Sequence, residues 1–198
     1  MKIAVYLGSR PGSDPKFKEN AHELGRLLAA NGIEVIYGGA SVGTMGALAE
    51  GVREAGGLLT GVFPKGFKGR KDLADAGVDV RNTWSDYPGY RYLETPTFDE
   101  RIRAMESMAG ACIILPGSYG TMHEFFSFFE GNEVGRFRKP LFILNTDGYY
   151  DPLLELVRRM VDAGFTPEGD FDLLFSASTP EELVRKVLSL AGKPDYLP

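Results

Sequence analysis

Arg101 and Glu124 are the two side chains whose types and spacing suggest chemistry in this sequence. Glu124 ends the glycine-rich stretch PGSYGTMHE, and Arg101 lies 23 residues earlier, inside DERIRAM. A carboxylate beside the anomeric carbon of a sugar can stabilise an oxocarbenium-like state or activate water, and an arginine can orient a phosphate, a ribose or a leaving base. A glutamate in a first helical turn also interacts favourably with the helix dipole, so the spacing alone leaves both roles open.

Three glycine-containing turns follow predicted strands and are candidate phosphate sites. Glycines let backbone N–H groups approach a phosphate closely, and a following helix adds its positive N-terminal end. Ordinary turn chemistry explains any one of these turns, but two such glycine-rich turns in one small domain favour a ligand site. The candidate binding residues are Gly8, Ser9, Gly38, Gly39, Gly43, Thr44, Met45, Gly46, Pro116, Gly117, Ser118, Tyr119, Gly120 and Thr121.

Two familiar nucleotide-binding motifs are missing from the sequence. No G-x-G-x-x-G follows the first predicted strand, and G-x-x-x-x-G-K-[ST] occurs nowhere, which disfavours a nicotinamide-dependent oxidoreductase and a P-loop ATPase. The single cysteine, Cys112, lies in the apolar run ACIIL and is expected to be a buried structural thiol. We expect neither a metal nor a cofactor.

The elements that must position these residues alternate along the chain. Predicted strands cover residues 3–7, 33–37, 58–63, 111–115 and 141–145. Predicted helices cover 15–31, 43–55, 99–108, a stretch from 121 onward, 151–163 and 180–190. This alternation predicts a doubly wound α/β fold, with a mostly parallel sheet of five or more strands and helices on both faces. Ligands bind such sheets beyond the carboxyl ends of the strands where strand order reverses, which is between the first and fourth predicted strands in an assumed 3-2-1-4-5 order.

Composition and charge restrict the domain organisation, the partners and the cellular location that the sequence predicts. The 198 residues suffice for a single domain with a sizeable core, which we place at 1–198 with an extended insert at about 65–98. The net charge of −5 argues against nucleic-acid and anionic-membrane partners. No stretch approaches the roughly 18 apolar residues of a membrane helix, and the first apolar run is too short for a signal peptide. We therefore expect a cytoplasmic protein.

Residues 84–98, WSDYPGYRYLETPTF, concentrate the only tryptophan and three tyrosines. The stretch runs directly into the segment that carries Arg101, and flat aromatic faces stack well on a base. One interpretation is a flap that shapes a base pocket through Tyr90 or Tyr92. The other is an aromatic patch that packs the insert onto the core.

The motif PGSYGTMHE resembles the PGGxGTxxE signature of the LOG family, the cytokinin-activating phosphoribohydrolases long labelled as lysine decarboxylases. YGGASVGTMGALAEG at 37–51 and RKPLFILNTDGYYDPLL at 138–154 are similar to further family segments in the same order. The resemblance implies a Rossmann-like homodimer without a metal. It implies hydrolysis of the N-glycosidic bond of AMP, or of an N6-substituted, cytokinin-type AMP, to free base and ribose 5-phosphate.

By this resemblance Glu124 falls on the motif's glutamate, and Arg101 falls on the arginine of the family's preceding helix. Three departures bear on substrate choice more than on reaction type. Ser118 replaces the second motif glycine, Ile102 replaces the lysine after the arginine, and the insert before Arg101 is longer than in compact members.

Two alternatives remain open. A non-catalytic nucleotide or molybdenum-cofactor carrier of the same superfamily would bind its ligand without hydrolysis and would not need both Arg101 and Glu124. A lysine decarboxylase would need a pyridoxal phosphate lysine, and no motif nominates one. Separately, Phe125, Phe126, Phe128 and Phe129 of HEFFSFFEGNEVGRF project from more than one side of a helix, which predicts burial on more than one face. The family resemblance implies that an equal subunit covers the outer face, and burial by the core alone is the alternative.

Overall fold

A computed structural model describes residues 1–67 and 84–193, which build one seven-stranded sheet with helices on both faces. Every strand pair is parallel, and the order across the sheet is β4-β3-β2-β1-β5-β6-β7. The strands are β1 (Lys2–Tyr6), β2 (Glu34–Tyr37), β3 (Leu59–Pro64), β4 (Tyr90–Thr95), β5 (Ala111–Ile114), β6 (Leu141–Leu144) and β7 (Leu174–Ala177). The helices are α1 (Lys16–Ala30), α2 (Gly43–Glu54), α3 (Phe98–Met108), α4 (Tyr119–Glu133), α5 (Asp151–Asp162), α6 (Glu168–Phe171) and α7 (Pro180–Leu190).

Two core layers explain why the central strands are apolar without interruption. Alternate residues of β1 point to opposite faces of the sheet, as the two-residue period of a strand requires. Ile3 and Val5 pack into the layer under α1, α2 and α7, whereas Ala4 and Tyr6 pack into the layer under α3, α4 and α5. Cys112 of β5 is fully buried, as expected. The predicted doubly wound α/β class is confirmed.

The strand order places the reversal where the sequence analysis assumed it. β1 lies between β2 and β5, so the five strands predicted from sequence follow the assumed order. From β1 the chain continues into α1 on one face, and from β5 it continues into α4 on the other. β4 and β7 extend the sheet at its two edges.

Within the stretch 84–98, Tyr90–Thr95 form edge strand β4, and a role of this stretch in shaping a base pocket stays a prediction. This strand pairs with β3 from Leu59↔Tyr90 to Pro64↔Thr95, which gives β3 a partner on its outer edge. Tyr90 packs against the core layer of α1 and α2, and Tyr92 stacks on Phe63 with ring centroids 6.4 Å apart. The aromatic patch therefore packs this part of the insert onto the core. Residues 68–83 of the insert lie outside the described residues.

Within the described residues, no helix combines the length and the apolar character needed to cross a membrane.

Candidate active site

A cavity of about 420 Å³ opens at the carboxyl edge of the sheet, beyond the ends of β1, β2, β3 and β5. Its walls come from residues 7–12 after β1, the turn after β2, the end of β3 and the turn after β5. Side chains of α3 and of the loop after β6 complete it. The cavity therefore lies at the reversal between β1 and β5, where open parallel sheets bind their ligands.

Arg101 and Glu124 meet at this cavity as a buried ion pair. Nη1 of Arg101 donates a hydrogen bond to Oε1 of Glu124 at 2.7 Å, and Nε of Arg101 donates to the Val62 carbonyl oxygen at 3.0 Å. The two side chains are only 9% and 10% exposed. The backbone acceptor and the carboxylate oxygen, each bonded to a different N–H group, together fix the plane of the guanidinium.

Two helices and one glycine position the pair. Thr97 is the N-cap residue of helix α3: its side chain accepts a hydrogen bond from the Glu100 backbone N–H, and Arg101 is the fourth residue of the helix. Gly38 follows β2 directly beneath the guanidinium. A Cβ at Gly38 would clash with Nη2 of Arg101 and lie 3.0 Å from the Met45 sulfur, so the glycine makes room for the arginine.

Burial dominates the electrostatics of the pair. Removal from water raises the pKa of the Glu124 carboxyl, and the charge and hydrogen bond of Arg101 oppose that shift without cancelling it. A buried carboxyl with a raised pKa beside a fixed cation is typical of groups that exchange protons or stabilise positive charge during a reaction.

The structure brings most of the predicted binding residues to the cavity. Those that line it are Gly8, Ser9, Gly38, Thr44, Met45, Pro116, Gly117, Ser118, Gly120 and Thr121. Four others in the described part of the chain do not: Gly39, Gly43 and Gly46 pack against protein, and the Tyr119 side chain is 91% exposed outside the cavity.

The start of α4 borders the cavity. Its N-cap residue, Ser118, makes no side-chain cap hydrogen bond, and the first intrahelical bond runs from the Met122 N–H to the Ser118 carbonyl oxygen. The N–H groups of the first turn therefore have no intrahelical acceptor. An uncapped helix start that borders a cavity is suited to an anion.

Apart from Phe98, which ends the aromatic stretch 84–98, the aromatic walls of the cavity were not predicted from the sequence. Phe67 lies 5.7 Å from Phe63 and 5.0 Å from Phe98, between ring centroids, on the β3 side. Phe17 and Tyr149 form an edge-to-face pair with centroids 5.8 Å apart on the opposite side. Phe98 lies three residues before Arg101 on the same helix, which was a usable signal, whereas the others depend on the fold.

Arg10 also lines the cavity and was not predicted. It follows the Gly8-Ser9 turn directly, so its position beside a candidate turn was the available signal. In residues 1–67 and 84–193 no group of three or more His, Cys, Asp or Glu side chains could hold a metal ion.

The reversal-point cavity and its buried Arg–Glu pair define the chain as a ligand-binding Rossmann-like protein. The family described as "Possible lysine decarboxylase" matches residues 45–187, and the SLOG cluster4 family matches residues 1–81. The chain is 34% identical over 186 residues to the cytokinin riboside 5′-monophosphate phosphoribohydrolase LOG of Oryza sativa subsp. japonica, covering 94% of this chain and 72% of that protein. Its identity to the probable phosphoribohydrolase LOGL1 of the same organism is 37%, with 94% and 78% covered. The chain belongs to the LOG family.

A solved structure agrees on the fold. The molybdenum cofactor carrier protein from Chlamydomonas reinhardtii superposes with a TM-score of 0.64 over 96% of both chains, at 24% sequence identity. At that identity the likeness establishes the shared Rossmann-like fold alone.

Proposed function

We propose that this protein hydrolyses the N-glycosidic bond of AMP, or of an N6-substituted, cytokinin-type AMP, and releases the free base and ribose 5-phosphate. The observation that carries the proposal is the Arg101–Glu124 ion pair, buried in a cavity that also borders the uncapped start of α4. Named relatives with this activity over 94% of the chain support the same reaction.

In this proposal Glu124 is the carboxylate that faces the anomeric carbon. Breaking the glycosidic bond builds positive charge on the ribose, which a buried carboxylate stabilises strongly because little water screens it. The same carboxylate can accept a proton from the attacking water. Arg101 holds Glu124 in place and presents its remaining N–H groups to the ribose or the leaving base.

The turn after β5 supplies the phosphate site of the proposal. Gly117, Ser118, Gly120 and Thr121 line the cavity, and the first-turn N–H groups of α4 carry the positive end of the helix dipole. The turn after β1, at Gly8 and Ser9, lies beside it. The aromatic side chains of the cavity walls then contact the base.

The test is a panel of purified nucleotides with free base as the readout. AMP, N6-isopentenyl-AMP and the corresponding nucleosides are incubated with the protein, and released base is separated by chromatography. We expect base from the monophosphates and little from the nucleosides, because only a 5′-phosphate uses the start of α4. Equal rates on adenosine and AMP contradict the proposal.

The carrier alternative predicts a different outcome of the same panel. A nucleotide or molybdenum-cofactor carrier would bind its ligand and leave every monophosphate intact. The buried Arg101–Glu124 pair favours hydrolysis, since a carrier gains nothing from a desolvated carboxylate beside the ligand.

We further propose that the protein is a homodimer with the outer face of α4 in the interface. Phe125, Phe128 and Phe129 are buried by the chain's own core, but Phe126 is 39% exposed. Phe126 lines a groove with Val157 and Met160 of α5. Light scattering at micromolar concentration is expected to give twice the chain mass. For Phe126→Asp the measured mass is expected to fall towards that of a single chain.

The cytoplasmic location and the lack of nucleic-acid and membrane partners stay predictions from the sequence.

A further inference from the structure

Three charged side chains line the cavity among the described residues: Arg10, Arg101 and Glu124. Arg101 and Glu124 are engaged with each other, and Arg101 has a second bond to the Val62 carbonyl oxygen. Arg10 is exposed, and no hydrogen bond or ion pair within residues 1–67 and 84–193 engages its guanidinium. Because the buried pair cancels in formal charge, Arg10 gives this part of the lining a net positive charge.

The backbone that leads into Arg10 is held in place by the start of α2. The Thr44 hydroxyl donates to the Gly8 carbonyl oxygen at 2.8 Å, and the Met45 N–H donates to the same oxygen at 3.3 Å. A Cβ on Gly43, whose φ is +63°, would lie 2.7 Å from the Arg10 nitrogen. Pro11 restricts the chain on the other side. The backbone at Arg10 is thus held in place, and its guanidinium is free to bind a ligand.

The loop that carries Arg10 runs beside the loop that starts α4. β1 and β5 are adjacent parallel strands, so their carboxyl ends lie about 4.8 Å apart. A Cβ on Gly8 would lie 3.5 Å from the Pro116 carbonyl oxygen, which shows how closely the two loops pass. A phosphate at the start of α4 therefore falls within reach of the long Arg10 side chain.

We infer that Arg10 binds the 5′-phosphate of the substrate and is the specificity-determining residue that separates nucleotides from nucleosides. The inference rests on the proposed function for the identity of the ligand. A guanidinium presents a planar fork of N–H groups that matches two phosphate oxygens, and α4 alone supplies only a partial charge. The phosphate stays unchanged during glycosidic cleavage. Arg10 should therefore stabilise bound substrate and transition state equally, which affects KM and not kcat.

The test compares Arg10→Ala and Arg10→Lys with Arg138→Ala, an exposed arginine outside the cavity that gives the same change in net charge as Arg10→Ala. For Arg10→Ala we expect KM for the monophosphate to rise roughly 10- to 100-fold, the usual effect of losing a hydrogen-bonded charge. We expect kcat to change less than about threefold. For Arg10→Lys, KM should lie between those of the wild type and Arg10→Ala, because lysine keeps the charge but lacks the planar fork of N–H groups. For Arg138→Ala, KM and kcat should both equal those of the wild type.

Binding measured by calorimetry, with AMP and inorganic phosphate as probes, separates this inference from the proposed function. If the wild type binds AMP without cleaving it and Arg10→Ala weakens that binding, the hydrolase proposal fails and the role of Arg10 stands. If Arg10→Ala binds AMP and phosphate as the wild type does, the role of Arg10 is overturned even in an active hydrolase. An equal loss of affinity for AMP and adenosine also overturns it, because the phosphate is then not what Arg10 contacts.

Discussion

The turn between β2 and α2 and the turn between β5 and α4 have similar glycine-rich sequences but different surroundings. In the first, a Cβ on Gly46 would lie 2.6 Å from the Ser41 carbonyl carbon, and one on Gly43 would lie 2.5 Å from the Ser9 carbonyl carbon. In the second, a Cβ on Gly117 would lie 2.6 Å from the Thr121 Cβ, whereas one on Gly120 would meet nothing within 4 Å. Both turns line the cavity, but Gly43 and Gly46 of the first pack backbone against backbone, whereas Gly120 of the second faces open space.

The starts of α2 and α4 also differ in what their first N–H groups contact. The Met45 N–H at the start of α2 donates to the Gly8 carbonyl oxygen, so protein already occupies the place where an anion would bind. Neither helix start has a side-chain cap, but within the described residues no protein group accepts from the first-turn N–H groups of α4, which border the cavity. A glycine-rich turn before a helix therefore indicates close approach of a backbone, and the neighbouring loop decides whether the approaching group is protein or ligand.

The largest effect is expected at Glu124, on the helix of the open turn. Glu124→Gln removes the charge and the basic oxygen but keeps an oxygen that can accept from Arg101. Turnover of the monophosphate should fall by about 10²- to 10⁴-fold, the usual contribution of a general acid–base group. Nucleotide affinity and the circular dichroism spectrum should stay close to those of the wild type. Turnover at the wild-type rate would remove Glu124 from the mechanism.

A stability effect is expected at the packed turn. Gly46→Ala forces a methyl group against the Ser41 carbonyl and should lower the free energy of unfolding by about 1–3 kcal/mol. For a chain of this size, each kcal/mol corresponds to a fall in Tm of roughly 2–4 °C. Because Gly46 does not line the cavity, kcat/KM of the folded protein should change little. If Gly46→Ala keeps the wild-type Tm but loses nucleotide affinity, the turn before α2 contacts the ligand and is not merely packed against protein.

A pH effect follows from the burial of Glu124. The carboxylate is the active form, and its pKa is raised, so kcat/KM should fall on acidification at a higher pH than an ordinary glutamate gives. Phosphate esters also titrate near pH 6, which complicates the kinetic profile. The carboxyl carbon should therefore be followed by NMR in the free protein, with Glu124→Gln identifying the signal. A Glu124 pKa at or below its ordinary value contradicts the prediction.

The smallest effect is expected at the open turn itself. Gly120→Ala meets no protein atom and replaces glycine within a helix, so the free energy of unfolding should rise by up to about 1 kcal/mol. The added methyl group should raise KM for the nucleotide by about tenfold, near the lower end of what one misplaced carbon costs in a binding site. Thermal unfolding and steady-state kinetics measured beside Gly46→Ala provide the matched comparison. Destabilisation by Gly120→Ala would show that the two turns do not differ as described.

The sequence predicted the fold class and the central strands because their signals are local. Buried parallel strands read as short apolar runs between helices, and this pattern survives without knowledge of any partner. β4 was missed because YRYLET mixes aromatic and charged residues and follows a proline-glycine turn. Its strand conformation depends on the available edge of β3, which is distant in sequence.

Arg101 and Glu124 were identified from their motifs, and the structure places them 2.7 Å apart. The aromatic walls could not be predicted in the same way, since Phe67 belongs to no motif and reaches the cavity only through the order of the strands.

The sequence by itself determined the alternation of elements, the glycine-containing turns that follow the strands, the candidate pair Arg101 and Glu124, and the family. The tertiary structure decided which glycine-rich turn is packed and which is open, and it placed Arg10 beside the start of α4. The physical reason is that both outcomes depend on contacts between the β1 loop and its two neighbours, the starts of α2 and α4. Local sequence specifies a helix start and its unpaired N–H groups, but only the packing of distant loops determines what those groups meet.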